Sequence, residues 1–239
     1  MRTINNELLY DQLWRIVRVR DCEEYPEWQI LKKFIKPKYK LLEFGSGARP
    51  KLPFFGSVFL DINEEATNRL KGLGANAIKS SLEEASFPAR SFDSVCGFDV
   101  LEHIANDQRT LNEVGRILKS KGKFIFSVPL GKSLYNDFDK TCGHIRRYEA
   151  EELTEKLSRA KLKIIAINEH GLRTKSRFLD KLTIFFLTIM PELSIRLSDI
   201  FYGLSLKIAK KRIKLIKRDF SEKMSKMHGV LVVAQKQND

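Results

Sequence analysis

Cysteine is scarce in this chain. Cys22, Cys96 and Cys142 are the three in 239 residues, far apart and outside any Cys-x-x-Cys spacing. That argues against a disulfide framework and a structural zinc site, and it fits a reducing, cytoplasmic setting. Long apolar runs are missing as well. The longest, Leu182 to Met190, falls well short of the roughly 20 residues a spanning helix needs. The opening MRTINNELLYDQLW lacks the apolar core of a signal peptide. Internal repeats and low-complexity linkers are also absent, and with 43% hydrophobic residues the chain has the material for a globular core.

What the chain has in excess is positive charge. Its 43 Lys+Arg outnumber 30 Asp+Glu for a formal +13, yet residues 172–227 alone hold 14 cationic against 5 acidic residues. The remainder is close to neutral, so the charge bears on where the protein docks more than on what its core does.

Apolar runs at Tyr39–Phe44, Ser57–Leu60, Asn76–Lys79, Asp93–Phe98, Lys123–Val128, Leu162–Ile167 and Val230–Ala234 read as strands. Helical patterns lie between them at Glu64–Leu73, Asn106–Leu118 and Glu151–Ser158. Gly122 is read as the stop of the second of these helices. Strands alternating with helices mean an α/β domain with a mainly parallel sheet. Two helical patterns precede the first strand, about 60 residues separate the last two strands, and the polar stretch from Pro129 to Tyr148 is long for a connection.

The first chemical constellation is LLEFGSG, Leu41–Gly47. A buried strand ending in an acidic residue and a Gly-x-Gly turn lets a ligand approach bare backbone. Asp61 ends the next apolar run, where a carboxylate can accept from both hydroxyls of a ribose; its plainer role is a turn or helix cap before Asn63 and Glu64. Pro50 and Pro53 leave no room for a helix of normal length between these two strands, so the usual pyrophosphate site is missing and a nucleoside without phosphates fits better.

With SFDSVCGFDVLEHI, Ser91–Ile104, added to those elements, the chain resembles the class I S-adenosylmethionine-dependent methyltransferases, most closely the type 11 methyltransferase domain group. The resemblance covers about residues 38–170. It implies a Rossmann-like, seven-stranded, mostly parallel sheet with an antiparallel last strand, helices on both faces and S-adenosyl-L-methionine as cofactor. It places Glu43, Gly45, Ser46 and Gly47 by the methionine portion, Asp61 on the ribose, Ile62 beside the adenine, Ser81 and Leu82 near the adenine amine, and Phe98 and Asp99 near the sulfonium. His103 is either a base or a structural hydrogen-bonding residue. His144 and Tyr148, in GHIRRYEAEEL, face the acceptor pocket in this reading, with Arg146 and Arg147 as binders of an anionic acceptor or as a solvated pair. No metal is expected.

The implied organisation is a helical cap over residues 1–37, a core of 38–170 plus 228–236, and an inserted helical lid over 171–227. No Asn/Asp-Pro-Pro-aromatic tetrad follows the fourth strand and no Pro-Cys nucleophile is present, which leaves a small-molecule or lipid- or glycan-linked acceptor. In the insertion, Lys207–Arg218 holds seven cationic residues while Leu206, Ala209, Ile213, Ile216 and Phe220 share one helical face. Residues 206–220 are therefore expected to meet an anionic membrane surface, at the inner face of the membrane; the alternative is that the apolar helices cover the sheet or form a homodimer interface and the basic face is solvated. An RNA methyltransferase using the basic stretch and a non-catalytic cofactor-binding scaffold are the other two readings; few aromatics interleave with the charges, which weighs against nucleic acid.

Overall fold

The computed structural model describes residues 6–171, 185–187, 189–209 and 213–238. Seven strands form one sheet: β1 Leu41–Phe44, β2 Ser57–Asp61, β3 Asn76–Lys79, β4 Phe92–Phe98, β5 Leu118–Pro129, β6 Leu162–Glu169 and β7 Gly229–Lys236. Their order is β3-β2-β1-β4-β5-β7-β6. β1 pairs parallel with β2 and β4, β2 with β3 and β4 with β5, while β7 runs antiparallel between β5 and β6. The sheet expected from the sequence, including its antiparallel last strand, is the sheet observed. Strand order reverses between β1 and β4, which opens a crevice at their carboxyl ends.

Alternation along each strand serves two cores. Leu42 and Phe44 of β1 point to one face, where they join Leu111, Val114 and Ile117 of α4 (Asp107–Ile117) and Leu153 and Leu157 of α6 (Ala150–Arg159). Leu41 points to the other, with Ile30 and Leu31 of α2 (Trp28–Phe34) and Leu70 of α3 (Glu64–Gly72). Side-chain caps fix where α3 and α4 begin: Asn63 Oδ1 accepts from the Ala66 N–H at 3.0 Å and Asn106 Oδ1 from the Arg109 N–H at 3.1 Å.

The proline-rich connection between β1 and β2 contains no helix, as the sequence implies. Gly122 is a correction. α4 stops at Ile117, Leu118 is already extended, and Gly122 lies inside β5 where a Cβ would come within 2.8 Å of the Lys119 carbonyl oxygen. The glycine serves a tight reversal in the strand rather than the helix end.

α1 (Asn6–Ile16) lies beside the crevice, and the short α5 (Asp137–Thr141) sits in the long connection after β5. Between β6 and β7 the described chain holds α7 (Pro191–Ala209) and α8 (Phe220–Met224). α7 packs against α1, with Ile195 buried among Val17, Ala48 and Trp14. The basic helix expected to run on through residue 218 is not formed. Past residues 210–212, which lie outside the described residues, the chain is extended: Ile216 bridges antiparallel to Ile167, and the Lys214 N–H donates to Asn168 Oδ1 at 2.7 Å. Covering the open edge of β6 satisfies backbone groups that a helix here would leave exposed.

Candidate active site

The floor of the site is the meeting of β1 and β2. Gly45 and Gly47 take φ of +63° and +53°, and a Cβ on either would collide, with Val100 Cγ2 at 2.3 Å or Trp14 Cζ2 at 2.4 Å. The Gly45 N–H donates to the Leu60 carbonyl at 2.8 Å. Asp61 ties the turn down, Oδ2 accepting from the Gly47 N–H at 2.7 Å and Oδ1 from the Asn63 N–H at 2.8 Å. Burial raises its pKa, against the pull of those N–H groups. A carboxylate has about four acceptor positions, so with the Ile62 N–H also on it capacity for a hydroxyl donor remains. Ile62 beside it is 73% exposed, and Asn63 Nδ2 reaches Asp11 of α1 at 2.6 Å. Ser46 is buried in the turn.

Other residues singled out in the sequence are spent on the framework. Glu43 accepts from the Lys51 N–H at 2.9 Å and the Leu52 N–H at 2.9 Å, so it anchors the proline-rich loop; burial pushes its pKa up to about 7. Ser81, beyond β3, caps a turn by accepting from the Glu84 N–H at 3.3 Å, and Leu82 is buried in the core cluster with Phe44 and Leu60. Phe98 is buried at the end of β4.

Asp99, next in the chain, has φ of +50°, unusual for a residue with a Cβ. Its N–H donates to Ser127 O and Oγ, both at 3.1 Å, and Ser127 Oγ donates to Asp99 Oδ1 at 2.8 Å. His170 Nε2 meets Asp99 Oδ2 at 3.0 Å, with Glu27 Oε1 3.8 Å from His170 Nδ1. Burial opposes charge on both partners, but the pair outweighs it: His170 is pushed up to about 9 and Asp99 well below the carboxylate range. His170 is a site residue that sequence reasoning misses. Its one signal is its place just past the end of β6, at the same sheet end as Asp99.

Three further side chains converge beside this pair. Glu102, His103 and His144 bring their ligand atoms within 4.8 Å of one another, and the two imidazoles stand edge to face at 4.9 Å. His103 Nδ1 lies 3.1 Å from the Gly143 carbonyl and His144 Nδ1 2.8 Å from Asp139 Oδ1. Carbonyls and ionised carboxylates only accept, so both Nδ1 atoms donate. Burial, then the neighbouring His144, lowers His103 to about 4. Glu102 is fully buried, and among the described residues neither carboxyl oxygen has a hydrogen-bond partner.

Tyr148 is not brought to this cluster in the same way. It is fully buried, and its hydroxyl donates to Asp107 Oδ2 at 2.9 Å, with the Leu101 carbonyl at 3.1 Å. Arg146 and Arg147 are likewise turned inward, to Asp107 at 2.9 Å and Asp139 at 2.9 Å.

The fold that carries this site has known counterparts. A model of the methyltransferase domain family matches residues 20–167, more than half of the chain. The chain belongs to that family. The methyltransferase domain is of the S-adenosylmethionine-dependent kind, and this is the cofactor its fold implies. Two uncharacterized proteins of Methanocaldococcus jannaschii are similar in sequence: one is 34% identical over 118 residues, 46% of this chain and 52% of that protein, the other 33% over 122 residues, 50% and 47%. The chain thus spans about half the length of the curated relatives it matches.

Among solved structures, a SAM-dependent methyltransferase of Thermotoga maritima aligns with a TM-score of 0.61 at 16% identity, covering 94% of this chain and 91% of its own. The cyclase SpnF gives 0.57 at 15%, covering 89% and 81%. Haemonchus contortus phosphoethanolamine N-methyltransferase 2, in complex with phosphomonomethylethanolamine and S-adenosylhomocysteine, gives 0.57 at 17%, covering 88% and 52%. At such identities the likeness is one of fold, and a cyclase among the neighbours means that the chemistry has to be argued from side chains.

The floor of the methyltransferase domain fits its cofactor. Asp61 retains acceptor capacity toward a ribose hydroxyl and exposed Ile62 flanks it, while the Cβ positions of Gly45 and Gly47 are already taken by Val100 and Trp14. α1 closes over this floor: Trp14 lies on Gly47, and Arg69 donates to the Trp14 and Val17 carbonyls. α7 is clamped to it, Asp199 bonding Arg20 and Arg49 at 2.8 Å each.

Proposed function

We propose that this protein transfers a methyl group from S-adenosylmethionine to a small-molecule or lipid- or glycan-linked acceptor seated between Asp99 and His144. The observation that carries the reading is the juxtaposition, at one sheet reversal, of a nucleoside-competent floor and a rim of titratable side chains, of which Glu102 is buried and the histidines are half-buried. Bound there, the cofactor supplies an electrophilic methyl on a sulfonium. Little remains for the protein beyond alignment and exclusion of water. Asp61, Gly45, Ser46 and Gly47 hold the nucleoside and amino-acid ends, with Ile62, Ser81 and Leu82 along the adenine side and Phe98 at the floor. Asp99, fixed by Ser127 and His170, lines the methyl. His103 and His144 stand where an acceptor's protonated atom would sit, while Tyr148 and Glu43 keep the frame.

A small acceptor suits this cluster, and the phosphoethanolamine enzyme of the same fold, solved with a small phospho-amine bound, supports the class. Among the described residues no helix is long and apolar enough to cross a membrane. α7 nonetheless exposes Leu193, Leu197, Ile200 and Phe201, with Phe185 and Ile189 nearby, in a segment that carries most of the net positive charge. That combination supports peripheral docking on an anionic membrane, the insertion acting as lid and anchor together.

Calorimetry tests the core reading. Wild-type protein is expected to bind S-adenosylhomocysteine, and Asp61→Ala to weaken binding by about 100-fold, since it removes a charged acceptor and strands the Gly47 N–H. No binding by the wild type overturns the reading. For docking, flotation with phosphatidylserine vesicles should recover the protein and fall at least several-fold for Ile200→Asp/Phe201→Asp; equal recovery with neutral phosphatidylcholine vesicles would rule out the charge component.

A further inference from the structure

The proposed methyl transfer uses no feature that explains Glu102. A buried carboxyl with both oxygens unpartnered costs several kcal/mol unless something completes it. Protonation does not remove the problem, because the new O–H would also lack an acceptor among the described residues. Its nearest polar company is His144 Nε2, 3.9 Å from Oε1, and His103.

Both imidazoles are held as metal ligands are held. A ligating histidine characteristically donates its other ring N–H to a carboxylate or a backbone carbonyl, which fixes the tautomer and aims the free nitrogen. His144 does the first, to Asp139 Oδ1 at 2.8 Å, and Asp139 is itself pinned by Arg147 Nε at 2.9 Å. His103 does the second, to the Gly143 carbonyl at 3.1 Å. His144 Nε2 then stands 3.9 Å from the orphan carboxylate, with the His103 ring beside them.

We propose that Glu102, His103 and His144 form a divalent-metal site at the acceptor end of the cleft. Metal–nitrogen and metal–oxygen bonds are about 2.0–2.2 Å, so two ligands of one ion are at most about 4.4 Å apart. The cluster, with its ligand atoms within 4.8 Å, therefore closes on an ion by side-chain adjustments of well under ~2 Å. Two imidazoles and one carboxylate select a first-row ion such as Zn²⁺, Mn²⁺, Fe²⁺ or Co²⁺ over Ca²⁺ and Mg²⁺, which prefer all-oxygen sets. Three protein ligands leave positions open, as catalytic sites do and closed structural sites do not.

Resting on the methyl-transfer reading, the metal site also sets the acceptor class. An open position takes an acceptor through oxygen, and an ion-bound hydroxyl is acidified as ion-bound water is. Its proton passes to solvent, the oxygen lone pair forms the O–CH₃ bond, and the CH₃–S bond breaks with its electron pair left on sulfur. An alcohol or phenol fits such a site better than an amine that is already nucleophilic.

The test uses the full-length protein, stripped with a chelator and titrated with Co²⁺ and Zn²⁺. One equivalent of Co²⁺ should produce visible d–d absorption, and Zn²⁺ should displace it. Glu102→Gln and His144→Ala should each weaken uptake at least 100-fold while S-adenosylhomocysteine binding stays within about twofold, which separates failure of the metal site from failure of the cofactor reading. Should Glu102→Gln not fold by circular dichroism, His144→Ala, whose ring reaches the surface, serves alone. Absence of stoichiometric uptake by the wild type, as for a pocket holding only water, or uptake that both variants retain, would overturn the proposal.

Discussion

At the end of β2 the Asp61 carboxylate has a backbone N–H on each oxygen; a few residues beyond β4 the Glu102 carboxylate has nothing on either. The two acids flank one cleft and both are buried, yet only the first is satisfied by the protein itself. The floor is finished by its own backbone, within a span of fourteen residues from Gly47 to Asp61. The rim is assembled from β4, the loop around Gly143 and the end of β6, and its side chains are answered by other side chains, by the Gly143 carbonyl for His103 and, among the described residues, by none for Glu102. Floors of this kind fix a common cofactor, whereas rims of this kind wait for a particular ligand to complete them.

The floor is the place to break this contrast hardest. Gly47→Leu puts a Cβ where Trp14 already stands and forces a branched chain to φ of +53°, so S-adenosylhomocysteine binding should disappear from calorimetry while the far-UV spectrum stays folded. Binding within tenfold of wild type would mean that the turn does not hold the cofactor. At the rim the effect is smaller and depends on pH. His170 is raised from 6.5 to about 9 in the folded protein, chiefly against its burial by Asp99. Its contribution to stability is therefore full below pH 6.5 and lost as pH rises through about 9. Asp99→Asn should flatten the fall in urea midpoint between those limits and return the His170 imidazole resonances to an ordinary titration. An unchanged slope would assign the pH dependence to other groups.

The same contrast explains what can be read from the sequence. An apolar run breaking into Gly-x-Gly, and a second one ending in Asp61, are local patterns, and the sheet follows from their spacing. Glu102 is visible only as a neighbour of His103, because its lack of partners depends on how the loop through Gly143 packs. His170 is brought to Asp99 by β6, 71 residues away in sequence, and no periodicity announces that. The helical spacing of Leu206, Ala209, Ile213 and Ile216 misleads for a related reason. Past residue 212 the open edge of β6 offers Ile216 backbone partners, and this long-range pairing outweighs a local helical pattern. Helical periodicity reports a face, and it does not report what lies beside it.

The antiparallel pairing of β6 with β7 has one more consequence. The His170 N–H donates to the Gly229 carbonyl at 3.0 Å, so the chain that leaves the sheet after β6 returns to within one hydrogen bond of its point of departure. The described part of the chain between is a closed excursion, pinned along its way by Asp199 to Arg20 and Arg49 and by Ile216 to Ile167. Its length and composition are free to drift at little loop-closure cost, while the seven strands and the cofactor floor keep their register. A lineage sharing this sheet can therefore exchange what lies between β6 and β7 by replacing this one excursion, much as a tool changes its head while keeping the handle.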